Sequence, residues 1–190
     1  MIISISGAHG SGKSTVAKQL AEKLDWPRYY IGGLRREAAQ KRGLTLAEYN
    51  KLGETDPQTD QEVDKYQREL GRTQDNFVIE GRTSWYFIPH SLKIYLDVAP
   101  EVAAERVWLN LQGKTDRTNE DKNMKTLEDV RTSMKHRLDS DNLRYQKYYG
   151  FDAYDRNHYD FYLDTTNLTR EQVFDQVYAY VKANIDKGKN

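Results

Sequence analysis

The sequence predicts an α/β fold in which a parallel sheet lies between two layers of helices. Short apolar runs suited to buried strands alternate with longer segments of helical periodicity, which is the pattern of parallel strands joined by crossover helices. The chain has 190 residues, a length typical of one compact domain, and its hydrophobic residues, 37% of the total, form clusters. We therefore expect a three-layer sandwich formed by a single domain, residues 1–190.

Strands are expected where short apolar runs are bounded by turn residues or polar residues. The first run opens the chain and leads into a glycine-rich turn, and the second is expected to close at Gly32-Gly33. The third ends in Glu80-Gly81-Arg82, which indicates a central strand that leads into an active-site loop. The five predicted strands are residues 1–6, 29–31, 77–79, 92–97 and 161–164.

Helices are indicated by apolar stripes and by residues that favour helix ends. The first is predicted over residues 13–24, directly after the glycine-rich turn. Pro100 suits the first position of a helix, and Thr169 suits the cap of a C-terminal helix. The apolar stripes are Val16, Ala17, Leu20, Ala21 and Leu24 in the first helix and Val173, Val177 and Val181 in the last.

Residues 34–72 are predicted to form amphipathic helices that are inserted over the sheet. Two threonine–glutamate pairs have the spacing of a capping box, in which each side chain binds the other residue's backbone N–H at a helix start. They are Thr45 with Glu48 and Thr59 with Glu62.

Residues 113–148 are predicted to form a second insertion. It begins with a polar segment, residues 113–124, which is expected to be a mobile loop, and continues as a long charged helix over about residues 127–148. Neither insertion is expected to be a separate domain.

A phosphate-binding motif carries the strongest chemical signal. Residues 7–14 match the P-loop pattern G-x-x-x-x-G-K-[ST], between a predicted strand and a predicted helix. The glycines let backbone N–H groups surround phosphate oxygens, Lys13 is expected to reach the β- and γ-phosphates, and Ser14 is expected to bind Mg²⁺. The predicted ATP-binding residues are Gly7, Ala8, His9, Gly10, Ser11, Gly12, Lys13, Ser14 and Thr15.

Two alternatives compete with this interpretation of the motif. One is a glycine turn that closes a βα unit by chance, and the other is a P-loop that binds nucleotide without transferring phosphate. For His9 the alternatives are an acid or base role and a filler residue near solvent.

Phosphoryl transfer requires in-line positioning and positive charge around the migrating group, which directs attention to arginines. Arg82 directly follows a buried strand, where a purely surface role is not expected. Glu80 at the same strand end is placed to hold a water of Mg²⁺, the alternative being a capping or turn carboxylate. The candidate arginines are Arg35, Arg36, Arg82, Arg117, Arg137 and Arg144.

Asp60, Asp64 and Gln67 fall at helical spacing on one face of a predicted helix. One interpretation is that they contact the ribose or base of an acceptor; the other is a solvated face paired with Lys65 and Arg68. The run Trp85-Tyr86-Phe87 likewise has two interpretations, a platform for an acceptor base or a core cluster under the loop.

Several of these stretches together resemble the nucleoside monophosphate kinases, and most closely the archaeal-type cytidylate kinases. The resemblance covers nearly the whole chain. It extends through the P-loop and through the stretches 31–37, 42–49, 60–67, 80–82, 137–152 and 164–169. Two departures from the family pattern are Gly33, where an acidic residue is usual, and Leu138, where a charged residue is common.

The resemblance implies transfer of the ATP γ-phosphate to CMP or dCMP with Mg²⁺. It implies that Arg36 and Arg82 hold the acceptor phosphate, and that Arg137 and Arg144 on a lid are catalytic together with Lys13 and Arg82. Asp60, Asp64 and Gln67 then belong to the acceptor site, and Ser14 and Glu80 to the metal site.

Other functions remain as alternatives. An adenylate-kinase-like activity or phosphorylation of a small alcohol, as in shikimate kinases, would use the same P-loop. A nucleotide-binding regulator is the alternative outside enzymes, although the Asn-Lys-x-Asp motif of switch GTPases is absent. Equal numbers of basic and acidic residues, 29 each, disfavour a general nucleic-acid surface.

The remaining expectations concern cell location and assembly. The sequence contains no cysteine, so neither a disulfide nor a zinc–cysteine site is expected. The N-terminal residues resemble neither a signal peptide nor a membrane span. We expect a cytoplasmic monomer whose ligands are small nucleotides.

Overall fold

The computed structural model describes residues 1–113 and 124–187. Its five strands form one parallel sheet in the order β2-β3-β1-β4-β5, which confirms the predicted α/β fold. Most of the predicted loop 113–124, together with Arg117, lies outside the described residues. The strands are β1 (Ile2–Gly7), β2 (Arg28–Tyr30), β3 (Phe77–Glu80), β4 (Leu92–Asp97) and β5 (Phe161–Asp164).

Helices cover both faces of this sheet. One face is closed by two helices that bring the predicted valine and leucine stripes against Ile3 and Ile5, and the other by helices that pack on Ile2 and Phe77. The α-helices are α1 (Lys13–Leu24), α2 (Ile31–Lys41), α3 (Leu46–Gly53), α4 (Gln58–Thr73), α5 (Ser84–Phe87), α6 (Pro100–Gln112), α7 (Leu127–Tyr149) and α8 (Arg170–Lys187); a 3-10 turn spans Arg156–His158.

The central strand β1 lies between two layers of helices. Every residue of β1 is buried, because β3 and β4 flank it in the sheet and helices cover both of its faces. Its serines, Ser4 and Ser6, are buried together with the isoleucines because neither face of the sheet is exposed to solvent. The carboxyl ends of β1, β3 and β4 therefore meet at one edge of the sheet, where Gly7, Glu80 and Asp97 end their strands.

The second strand ends earlier than predicted, and the glycine pair does not close it. Helix α2 begins at Ile31, so Gly32 and Gly33 form its first turn. A Cβ on either glycine would lie 2.8 Å from the ring of Tyr30. The pair is therefore required for the close approach of an aromatic ring, and not for a turn.

One of the two predicted capping boxes is wrong. Thr45 and Glu48 form theirs at the start of α3, whereas Thr59 lies inside α4 and donates its hydroxyl to the Asp56 carbonyl at 3.0 Å. Asp56 instead accepts from the Gln58 N–H at 3.0 Å, and Pro57 already has a helical φ of −65°. An Asp-Pro pair therefore starts this helix, as the preference of proline for the first turn allows.

Helix α7 packs against helix α6 in its first half and against helix α3 in its second half. Its N-terminal half packs on α6 through Val130 and Met134. Its C-terminal half contacts the last turn of α3, where the Tyr148 hydroxyl donates to the Gly53 carbonyl at 2.8 Å. Within the described residues, none of the helices combines the length and the apolar character needed to cross a membrane.

Candidate active site

The loop between β1 and α1 has the backbone that its glycines predict. Gly7, Gly10 and Gly12 have φ values of +145°, +77° and +88°, which side chains other than glycine rarely adopt. A Cβ at Gly7 would lie 2.1 Å from the Leu96 carbonyl oxygen, and one at Gly10 would lie 2.6 Å from that of Ala103. The loop is therefore held against β4 and α6, with its N–H groups at the start of a helix.

Lys13 and Ser11 both bind the same carbonyl of this loop. The Lys13 Nζ and the Ser11 Oγ each donate to the Ala8 carbonyl oxygen at 2.9 Å. The lysine side chain thus lies across the loop whose N–H groups would surround a phosphate. Thr15 is exposed in the first turn of α1.

The two predicted metal residues are in direct contact. The Ser14 hydroxyl donates to one oxygen of Glu80, and Arg28 Nη2 donates to the other at 2.9 Å. Glu80 is buried at the end of β3. A hydroxyl and one carboxylate suit Mg²⁺, which keeps several waters and also binds substrate phosphates. The described residues contain no cluster of three or more His, Cys, Asp or Glu side chains that could hold a metal ion.

Arg82 connects the phosphate loop to the helices over the sheet. Its Nη2 lies 2.8 Å from His9 Nδ1, and its Nε lies 3.0 Å from Asp141 Oδ2. His9 is thus bound to a predicted catalytic arginine.

Arg144 lies in a fully buried ionic cluster. Its Nη1 donates to both carboxylate oxygens of Asp60 at 2.7 Å, and its Nη2 donates to Asp141. Arg35 also binds Asp60, at 2.5 Å. Burial alone would raise the pKa of Asp141, but the charges of Arg82 and Arg144 outweigh it and hold that pKa below its usual value. In this structure Arg144 is therefore bound to carboxylates, and its predicted contact with a phosphate stays a prediction.

Asp60, Asp64 and Gln67 all point into the protein, so the alternative of a solvated charged face is wrong. Each is less than 9% exposed. Gln67 donates to Thr83 at 3.2 Å and accepts from Ser84 at 2.7 Å. Their contact with an acceptor stays a prediction.

Asp64 has an unusual environment for a carboxyl group. It is buried on α4 and accepts a hydrogen bond from the Tyr149 hydroxyl at the end of α7. Burial raises the pKa of Asp64 to about 6, and the Tyr149 hydrogen bond opposes that rise.

The two remaining predicted arginines lie in different surroundings. Arg36 is buried and donates to the Tyr30 hydroxyl at 2.6 Å. Arg137 is half-buried and lines a cavity of about 800 Å³ between α3 and α7, together with His9 and Asn50. Among the predicted arginines, Arg82 and Arg144 both bind Asp141, and Arg36 binds Tyr30.

The aromatic run after Arg82 is mainly part of the core. Trp85 is 8% exposed and stacks on His158, with ring centroids 4.1 Å apart, and Phe151 packs against its edge. Tyr86 is 40% exposed. For Trp85 this favours the interpretation of a core cluster over that of a base platform.

Four residues at the site were not predicted from the sequence. Arg28 binds Glu80, Tyr30 binds Arg36 and Tyr149 binds Asp64. Each contact joins elements that become neighbours only when the chain folds. Asp141 did have a signal. It stands three positions before Arg144 on a charged helix, a spacing at which opposite charges meet.

Known proteins resemble this chain over nearly its whole length. Residues 2–167 match the model of the cytidylate kinase-like family. A cytidylate kinase from Natronomonas pharaonis is 38% identical over 185 residues, which are 96% of this chain and 90% of the relative. One from Pyrococcus furiosus is 36% identical over 98% of this chain and 88% of the relative.

Solved structures share the fold at lower identity. An uncharacterized protein from Eubacterium ventriosum has a TM-score of 0.69 at 19% identity, covering 96% of this chain and 98% of the other. A shikimate kinase from Bacteroides thetaiotaomicron has a TM-score of 0.62 at 18% identity, covering 96% and 97%. At these identities the likeness concerns the arrangement of strands and helices.

Proposed function

The chain belongs to the cytidylate kinase-like family, and from this premise we propose that it transfers the γ-phosphate of ATP to CMP, giving ADP and CDP. The observation that carries the proposal is the direct contact between the phosphate loop and an arginine beside the acceptor helices. His9 Nδ1 lies 2.8 Å from Arg82 Nη2, so a group held by the loop and a group held by Arg82 would be neighbours.

On the donor side, residues Gly7 to Thr15 hold the triphosphate. Lys13 neutralises the β- and γ-phosphates, and backbone N–H groups at the start of α1 add their partial positive charge. Ser14 and Glu80 hold Mg²⁺, which when bound neutralises charge on the phosphates. The hydroxyl–carboxylate contact between them supports this assignment.

On the acceptor side, Arg36 and Arg82 hold the monophosphate, and Asp60, Asp64 and Gln67 contact the ribose or the base. The position of the three α4 side chains supports this assignment, because they face the interior beside the predicted arginines: Gln67 contacts Thr83, which follows Arg82, and Asp60 contacts Arg144. The acceptor phosphate is already ionised, so no general base is required.

Transition-state charge is stabilised by Lys13, Arg82, Arg137 and Arg144. We propose that residues 113–148 act as a lid and that residues 34–72 form the acceptor-binding helices. Arg144 is fully buried and its Nη atoms bind Asp60 and Asp141 in this structure, so contact with a phosphate requires a rearrangement that makes its guanidinium accessible. An arginine of this kind contributes on the order of 10³- to 10⁵-fold in rate.

We further propose that the protein acts as a cytoplasmic monomer on small nucleotides and does not bind nucleic acid. The balance of 29 basic and 29 acidic residues supports the last point.

The function is tested by measuring ADP formation with Mg²⁺ across CMP, dCMP, UMP, AMP, GMP, dTMP and shikimate. We expect kcat/KM to be highest for CMP or dCMP. Preference for AMP or shikimate would move the substrate to one of the alternatives. ATP binding without transfer to any acceptor would favour a nucleotide-binding regulator.

A matched pair of variants tests the assignment of the phosphate loop. Lys13→Ala is expected to abolish transfer with little change in the free energy of unfolding, because Lys13 is partly exposed and its ammonium group donates to a carbonyl of the phosphate loop. Lys18→Ala, on the exposed face of the same helix, serves as the control and is expected to keep full activity. Full activity in Lys13→Ala would refute the assignment.

A further inference from the structure

Tyr30 occupies an unusual position between strand β2 and helix α2. It is the last residue of β2, and its ring lies across the first turn of α2, where Gly32 and Gly33 leave the space. The ring is 37% exposed, so burial of an apolar surface does not explain why an aromatic residue is placed there. Two adjacent glycines in a helix also carry a cost in helix propensity, which some other gain must offset.

The hydroxyl of Tyr30 binds the arginine that is assigned to the acceptor phosphate. Arg36 Nη1 donates to the Tyr30 oxygen at 2.6 Å and to the Gly32 carbonyl at 3.2 Å. The Arg36 guanidinium carbon also lies 6.0 Å from the centre of the Tyr30 ring, within the range of a cation–π contact. The same residue therefore contacts Arg36 through both its hydroxyl and its ring.

A second arginine contacts the same ring. The guanidinium carbon of Arg28 lies 5.3 Å from the centre of the Tyr30 ring, while its Nη2 donates to Glu80 at 2.9 Å. Tyr30 thus lies between the arginine that holds the metal-side carboxylate and the arginine of the acceptor side. This arrangement connects Ser14, Glu80, Arg28, Tyr30 and Arg36 in one series of contacts.

We propose that Tyr30 is a positioning residue that fixes the Arg36 guanidinium for the phosphate of the acceptor, and that the Gly32-Gly33 pair is required because it admits the Tyr30 ring. The inference rests on the proposed function, since it takes Arg36 as an acceptor ligand. An arginine side chain has many rotamers, and holding one of them before binding lowers the entropic cost of capturing the phosphate.

The first test compares Tyr30→Phe with Tyr29→Phe. The two tyrosines are neighbours, but the Tyr29 hydroxyl binds Gln74 on the outside of the protein. We expect Tyr30→Phe to raise the dissociation constant and the KM for CMP about three- to tenfold, the effect of losing one hydrogen bond of ordinary strength. ATP affinity, kcat and thermal stability are expected to match those of Tyr29→Phe. Equal CMP binding by the two variants would overturn the inference.

The second test keeps the hydroxyl and moves the ring. In Gly33→Ala the new Cβ would lie 2.8 Å from Tyr30 Cδ1, so the ring must leave the position in which it contacts Arg36. We expect weaker CMP binding with no loss of thermal stability, because alanine favours the helix more than glycine does. A Gly33→Ala variant that binds CMP as the wild type does would overturn the role given to the glycine pair.

Arg36→Ala separates failure of this inference from failure of the proposed function. If Arg36→Ala weakens CMP binding and Tyr30→Phe does not, the role of Tyr30 is refuted and the acceptor site stands. If Arg36→Ala binds CMP normally, the acceptor assignment itself is refuted, and this inference with it.

Discussion

At the scale of single residues, Asp60 and Asp141 each bind two arginines in the protein interior. Asp60 binds Arg35 and Arg144, and Asp141 binds Arg82 and Arg144. Removing one charge from such a cluster leaves its partners buried without compensation, which costs more than an exposed ion pair would contribute. The stability of the interior therefore depends on the charges of these two carboxylates as well as on apolar packing.

Asp141→Asn tests this dependence. We expect it to lower the free energy of unfolding by about 3 kcal/mol, because the amide cannot neutralise Arg82 and Arg144. Asp139→Asn, on an exposed position of the same helix, is the control and is expected to change it by less than about 0.5 kcal/mol. Urea denaturation at neutral pH measures both; equal stability of the two variants would contradict the prediction.

The raised pKa of Asp64 predicts that the stability of the protein falls as the pH rises, whereas a salt-bridged carboxylate makes stability rise with pH. Its pKa is raised in the folded protein to about 6, so folding favours the protonated form. The stability that this proton contributes is complete below about pH 4, near the unfolded pKa, and is lost as the pH rises through 6.

Asp64→Asn isolates this contribution, because the amide is neutral at every pH and still accepts from Tyr149. We expect the variant to gain about 3 kcal/mol of stability relative to the wild type as the pH rises from about 4 to about 7. Denaturation profiles of the two proteins across that range provide the measurement. A difference that does not change with pH would show that Asp64 titrates normally.

For single residues, the sequence predicted where the phosphate loop and the strand end lie better than it predicted which side chains contact each other. Lys13, Ser14 and Glu80 lie where the motif and the strand end put them, because neighbours in sequence or strand register define their positions. The partners of Arg144 could not be predicted, since Asp60 lies on a helix that is distant in sequence. Contacts between segments that are distant in sequence decide whether an arginine binds a buried carboxylate or is available to bind a phosphate.

At the scale of elements, helix starts depend on which polar residue reaches the first free N–H groups. At α3, Thr45 Oγ1 accepts from the Glu48 N–H at 3.2 Å, and Glu48 accepts from the Thr45 N–H at 2.7 Å. At α4, Asp56 has the corresponding role and Thr59 is buried within the helix. The same threonine–glutamate spacing thus has two structural outcomes in one protein.

Thr45→Ala is predicted to lower the free energy of unfolding by about 1 kcal/mol, the usual cost of losing an N-cap side chain. Thr45→Ser keeps the hydroxyl and is expected to remain within a few tenths of a kcal/mol of the wild type. Thermal unfolding of the three proteins distinguishes them, and a loss of similar size in Thr45→Ser would show that the methyl group matters instead of the cap.

The sequence predicted elements well where one local rule applies. The bounds of β4, β5 and α1 agree with the prediction, since apolar runs and the glycine loop define them. The start of α4 was wrong because two capping signals overlap, and Asp56-Pro57 forms the turn there. The order of the strands in the sheet follows from packing of distant segments, which periodicity does not encode.

At the scale of the whole molecule, the proposed donor and acceptor sides are formed by different segments. The phosphate loop joins β1 to α1, whereas Arg36 lies on α2 and is held by Tyr30. A variant that no longer binds its ligand on one side is therefore expected to keep ligand binding on the other side.

Thermal shifts test that separation. At concentrations about 100 times the dissociation constant, ATP and CMP are each expected to raise the Tm of the wild type by about 5 to 10 °C. In Lys13→Ala the shift with ATP is expected to be lost and the shift with CMP to be retained. Loss of both shifts would mean that the two sides form a single cooperative unit.

The central position of β1 has a consequence for the order of events during synthesis. Ile2 pairs with Phe77 and Ile3 with Leu92, so β1 leaves the ribosome before these partners and cannot complete its hydrogen bonds until they have been translated. At ordinary elongation rates that delay is on the order of ten seconds. Until then helices that are already translated, such as α1, can cover the faces of β1, but both strand edges remain open to wrong partners. The nascent chain is therefore most vulnerable to aggregation before β3 and β4 have been made.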